Sequence, residues 1–183
     1  MFDDIKVSQL TMFFAHKEGG SIEYLKLMKL LYLADRRAMK LYDYPLSDDS
    51  AVSMDKGPVL SNTYDLITGQ TQSHYWVEHI DGLPDYQVGL KQSFNLDDLD
   101  ELSAVDIEVL EAIWNEFGHM SKWQLVDHTH DNCPEWQDPQ GTSYPISPSS
   151  IYQALGNSPD DVDRLNRQYF DRKQLKELHS NYQ

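Results

Sequence analysis

Cysteine is nearly absent from this chain: Cys133 is the single one in 183 residues. An internal disulfide and a multi-thiolate zinc site are thereby excluded, and a reducing compartment is the expectation. Long apolar runs are missing too. Mean hydropathy is −0.60, and no stretch approaches the roughly 20 apolar residues of a membrane span. The opening MFDDIKVSQL carries acids where a secretory leader carries bases. The expectation is a cytoplasmic protein with no membrane contact. Positive charge is scarce, with 15 Lys and Arg against 30 Asp and Glu, a formal net charge of −15. Whole-surface attraction to nucleic acid is therefore unfavourable. Also lacking are a phosphate-cradling glycine loop, a G-x-S-x-G elbow and a dinucleotide fingerprint.

Aromatic residues are plentiful, with 11 Tyr, 4 Trp and 6 Phe. That content opposes disorder, and the length suffices for a core without covalent staples. The charge is uneven. Residues 1–45 hold seven bases and six acids, so the rest of the chain carries the negative excess. A locally basic segment sits inside an acidic whole, and an acidic field attracts a basic partner.

Periodicity predicts a mainly α fold, a helical domain with a small inserted β-hairpin. A first helix spans about Asp3–His16 and ends at Gly19-Gly20. Ser21 is expected to cap a second helix, about Ile22–Tyr42, stopped by Pro45. Leu27, Leu30, Leu31, Ala34, Ala38 and Leu41 form its apolar stripe. Lys26, Lys29, Arg36 and Lys40 fall on another face, with Lys29, Arg36 and Lys40 in a narrow arc. The plain reading is a solvated face. The sharper one is a partner contact, since the rest of the surface is so acidic.

Gly57-Pro58-Val59 reads as a turn, with Gly57 at positive φ. A short helix comes next through Tyr64, closed by Gly69. The segments HYWVEHI (74–80) and YQVGLKQS (86–93) read as two strands of a hairpin. Its exposed-looking Tyr75, Trp76 and Tyr86 are the fallback contact surface. Ser103 caps a helix to Phe117, and Ser121 with Gln124 forms a capping box. Residues 132–145 read as irregular. Ser147-Pro148 and Ser158-Pro159 open the last two helices, the second with acids first and bases last. Residues 1–156 are expected to form the domain, with its hairpin insert at about 71–99. Residues 157–183 add a helix packed on it or extending from it.

One cluster offers catalytic chemistry: Asp127, His128, His130, Asp131 and Cys133. Ligands on a helix converge at i and i+4, whereas His128 and His130 are two apart and point to different sides. Cys133 lies near Asp131 and Glu135, which raise a thiol pKa and oppose a reactive thiolate. A hydrolase or metal-dependent enzyme built on this cluster is the alternative reading. On residues alone a binding module leads, with no catalytic residue, cofactor or metal assigned.

Ordered motifs carry a family resemblance. Lys26-Leu27-Met28-Lys29-Leu30-Leu31-Tyr32-Leu33-Ala34-Asp35, then Gly57-Pro58-Val59 with Tyr64, then Thr129-His130 and Pro134-Glu135-Trp136, resemble the Panacea domain, the SocA-type antitoxin domain. The resemblance spans about residues 5–156, with Asp138–Gly156 similar to the family's stretch C-terminal to these motifs. It implies an antitoxin of a bacterial or phage two-gene pair that neutralises a cognate protein toxin encoded nearby by binding it. Leu27, Leu30, Leu31, Tyr32, Gly57, Pro58, Val59, Tyr64, His130, Pro134 and Trp136 are its motif residues, and their types mark packing. Lys29, Arg36 and Lys40 are the proposed toxin contacts. The 71–99 stretch and the helix after Ser158 match no motif of the family, and no basic helix-turn-helix is evident.

Overall fold

The computed structural model describes residues 2–180. It is mainly helical with two small antiparallel sheets. Helix α1 (Asp4–Lys17) opens at Asp3, whose carboxylate accepts from the Lys6 amide. It ends where Gly19 and Gly20 take φ of 100° and 113°. Strand β1 (Ser21–Glu23) leads straight into α2 (Tyr24–Tyr42). Ser21 is thus a strand residue and not a helix cap. Strands β2 (Ala51–Met54) and β3 (Gly57–Leu60) form a hairpin, followed by α3 (Ser61–Thr68) and α4 (His74–His79). A second hairpin, β4 (Ile80–Leu83) and β5 (Gln87–Leu90), precedes α5 (Ala104–Phe117) and α6 (Lys122–Asn132). Strand β6 (Tyr144–Pro145), α7 (Pro148–Ala154) and α8 (Pro159–Ser180) complete the chain.

One sheet has the order β1-β5-β4, with Ile22 opposite Val88. The other has the order β3-β2-β6, with Val52 opposite Val59 and Ser53 opposite Tyr144. Helix α2 is the centre of the molecule. It packs on α1, α5, α6 and β3, so burial runs all round its first three turns rather than along one stripe. Leu27, Leu30, Leu31, Ala34 and Ala38 are core residues, but Leu41 is 57% exposed. A second, smaller cluster joins Met39 to Ile146, Ile151, Tyr152 and Leu165, which seats α7 and α8 on the far end of α2.

The hairpin expected from 74–80 and 86–93 is present but shorter. Its first half is helix α4. The Ser73 side chain accepts from the Trp76 amide, a cap that aromatic and β-branched composition conceals. The resulting turn buries Trp76 and leans α4 on α1. There Gln9, fully buried, reaches Tyr75 Oη at 3.0 Å and Asp100 Oδ1 at 2.7 Å. Gly57-Pro58-Val59 lies in a strand that follows the turn at Asp55-Lys56, and Gly57 does have positive φ, +96°.

Candidate functional site

Helix α2 presents a polar seam at three- and four-residue spacing, so Lys26, Lys29, Tyr32 and Arg36 succeed one another along one side. Every member is engaged with a distant segment. Lys26 Nζ donates to Glu18 Oε2 at 2.6 Å and to the Gly118 carbonyl at 2.8 Å. Lys29, fully buried, donates to the Pro58 carbonyl at 2.7 Å. It reaches that oxygen because Gly57 has no side chain: a Cβ there would stand 3.0 Å from Lys29 Nζ and 2.7 Å from Thr129 Oγ1. Tyr32 Oη donates to Glu135 Oε1 at 2.6 Å, and Arg36 Nε donates to the same oxygen at 2.7 Å. One turn away, buried Asp35 accepts from the amides of Leu46 and Ser47, each at 2.9 Å, and from the Ser47 hydroxyl. Asp49 in turn caps α3 from outside, accepting from the Asn62 and Thr63 amides at 3.0 and 2.8 Å.

The segment after α6 locks onto this seam. Trp136 stacks on His130 with ring centroids 3.8 Å apart and donates its indole N–H to the Met54 carbonyl at 3.0 Å. Residues 133–136 thus bridge α2, α6 and the β2–β3 hairpin. The His130 ring rests against Trp136, and its buried Nε2 has no partner among the described residues. Burial, then the nearby Lys29 ammonium, pushes its pKa down, which keeps the ring neutral.

Electrostatics reflect the same geometry. Burial lowers the Lys29 pKa to about 7. Burial, then the Glu135 carboxylate, raises the Tyr32 phenol well above its ordinary value. Burial acts against the Arg36 guanidinium, but Glu135 more than offsets it and holds the pKa above the usual value. Cys133 is enclosed, and burial followed by Glu135 pushes its thiol up to about 12. The thiol is therefore protonated at neutral pH, as the neighbouring acid suggests from the sequence. Chemically, this arrangement ties α2 to segments distant in the chain.

The structure scatters the three expected contact cations. Lys29 is inside the protein, so the exposed-face reading fails for it; a central helix buries its polar side as well as its apolar one. Arg36 is partly buried and paired with Glu135. Lys40 is exposed. Tyr32 is a core residue, and its hydroxyl is enclosed with it. The Asp127–Cys133 cluster does not converge. His128 turns to Phe117, centroids 4.9 Å apart, while His130 turns to Trp136. Among the described residues no group of three or more His, Cys, Asp or Glu is placed to hold a metal ion. Glu135, the acceptor for both Tyr32 and Arg36, is the residue that sequence reasoning passed over. Its signal was an acid between the Pro and Trp of the last motif, matched to bases spaced along α2.

The contacts of Tyr32 and Arg36 with Glu135, and of His130 with Trp136, form a latch that lies inside a family match. A family model for the antitoxin SocA-like, Panacea domain matches residues 27–137, more than half of the chain. No curated protein sequence and no solved structure matches. The matched span begins in the first turn of α2 and closes just after Trp136, so it contains Lys29, Tyr32, Arg36, Gly57, Pro58, His130, Cys133, Glu135 and Trp136. Both ends of the latch lie within it, and the chain belongs to the SocA-like antitoxin, Panacea domain family.

Proposed function

We propose that this protein is an antitoxin that neutralises a protein toxin, encoded by a neighbouring gene, through direct binding. The observation that carries the reading is the family match over residues 27–137. Two properties support it. The net charge of −15 suits a basic partner, and the polar groups of the latch are turned inward on each other, which leaves recognition to the surface.

The experiment is a pair of expression tests. The neighbouring gene, expressed alone, should arrest growth, and growth should return when this protein is expressed with it. The two proteins should then co-purify. A neighbouring product that is harmless alone, or toxic but unrelieved by this protein, overturns the reading. Of the cations first considered as contacts, Lys40 is the exposed one and Lys40→Glu is the clean test of that end of α2. Reversing Lys29 or Arg36 would damage the latch and could not separate contact from stability.

A further inference from the structure

Three depressions meet at Tyr24, the first residue of α2. One of about 370 Å³ runs between α3 and the β4–β5 hairpin, walled by Tyr64 and Tyr86. A second, about 270 Å³, continues from Tyr64 to Lys56. A third, about 250 Å³, lies between Tyr86 and Trp123. Tyr24 lines all three, so they form one continuous aromatic surface. Tyr86 is 77% exposed and Trp123 is 52% exposed. Isolated exposed aromatics are ordinary on protein surfaces; contiguous ones around a recess resemble the anchor clusters of interfaces.

A second observation singles out Tyr86. Asp85 and Tyr86 hold φ of 59° and 61° in the loop between β4 and β5. Hairpin loops give such positions to Gly or Asn, and a bulky residue there is strained. The fold retains the strained ring, tied at the backbone by the Tyr24 amide donating to the Tyr86 carbonyl at 2.9 Å. Nothing in the core requires it: the ring stands 5.8 Å from Tyr24 and otherwise faces outward. Strain kept without a packing reason points to function.

Charge selects the occupant. Exposed Asp81 lines the first depression and exposed Asp55 the second, where its Oδ1 accepts from the Gly141 amide at 2.9 Å and its Oδ2 is left over; exposed Asp85 is next to Tyr86 in the chain. The two nearby lysines, Lys122 and Lys56, are already occupied: Lys122 pairs with Glu23, and the two ammonium groups lie over the Trp123 ring at 5.8 and 5.4 Å. We propose that this face, centred on Tyr24, Tyr86 and Trp123, docks a basic segment of the toxin. An apolar anchor enters between Tyr64 and Tyr86, and Lys or Arg side chains meet Asp55, Asp81 and Asp85. This rests on the toxin-binding reading above. The larger cavity, about 410 Å³ between α2, α7 and α8, is a weaker candidate, because Asp35 and Arg36 on its wall already spend their polar atoms within the protein.

The test uses the full chain and the purified neighbouring-gene product. Tyr86→Gly removes the ring and relieves the strain, so it should leave Tm within about 3 °C of wild type. Tyr86→Gly and Trp123→Ala should each raise Kd roughly 10- to 30-fold. Asp81→Lys with Asp85→Asn should slow association and flatten its salt dependence. If the wild type neutralises and all three variants bind within about twofold of it, the docking face is wrong and the antitoxin reading stands. If the wild type neutralises no neighbouring product, the antitoxin reading falls first and takes the face with it. Should Tyr86→Gly fail to fold by circular dichroism, Trp123→Ala and the charge variant decide the matter.

Discussion

Gly57 sits where two constraints coincide: a left-handed φ and a close approach by Lys29 and Thr129. Gly57→Val should therefore lower stability by more than about 2 kcal/mol, from backbone strain and overlap together. Thermal melting checks this, with a drop of roughly 5–10 °C at this chain length; an unchanged Tm refutes both constraints. The positive φ was legible in the Gly-Pro dipeptide. The reason for it was not, because the sequence places Lys29 on a helix face without saying that the face is inside. Lys29 also makes a prediction in pH. Its folded pKa of about 7 lies below the unfolded value, so between pH 7 and about 10 the unfolded chain holds more protons. Stability from this residue then rises with pH across that window, is complete above it, and is lost as pH falls through 7. Lys29→Met should remove that rise, seen as a flatter Tm profile than wild type from pH 7 to 9.5 (roughly the accessible part of the window). Parallel profiles would mean that Lys29 does not titrate with folding.

At the scale of elements, the caps of α5 and α6 and the β4–β5 hairpin were legible, whereas the Ser73 cap and the β3-β2-β6 pairing were not. Ser103 and Ser121 open α5 and α6 with both halves of a capping box formed, a signal contained in four consecutive residues. The β3-β2-β6 sheet, by contrast, pairs Ser53 with Tyr144 across more than ninety positions, and a two-residue strand inside an irregular stretch leaves no periodic trace. Helix α4 was hidden for a different reason: its composition favours a strand, and Ser73 together with the burial of Trp76 outweighs it. The apolar stripe of α2 was right except at Leu41. Leu30→Ala and Leu31→Ala, at fully buried positions, should each cost about 2–5 kcal/mol in denaturant unfolding. Losses under ~1 kcal/mol for both would show that α2 is not the packing centre.

For the molecule as a whole, the acidic excess was plain from composition, and the family motifs were readable in order from Lys26 to Trp136. Their joint purpose needed the fold. Residues that look like separate signposts prove to be one latch, with Glu135 holding Tyr32 and Arg36 while Trp136 covers His130. Tyr86 lies inside the matched span, in the 71–99 segment, and β5 pairs with β1 and sets that segment beside the start of α2.

The latch also imposes an order of events on synthesis. Glu135 lies 103 residues after Tyr32 and 99 after Arg36. At ~5–20 residues per second, α2 waits on the order of 5–20 s after its own emergence before its last acceptor is made. Throughout that interval Tyr32 and Arg36 lack the carboxylate that they share in the folded protein. Ribosome-bound chains halted before residue 133 should be cut readily within α2 by added protease, and chains halted well past residue 140 should resist. The protein thus reaches its finished shape only once the segment after α6 has left the ribosome.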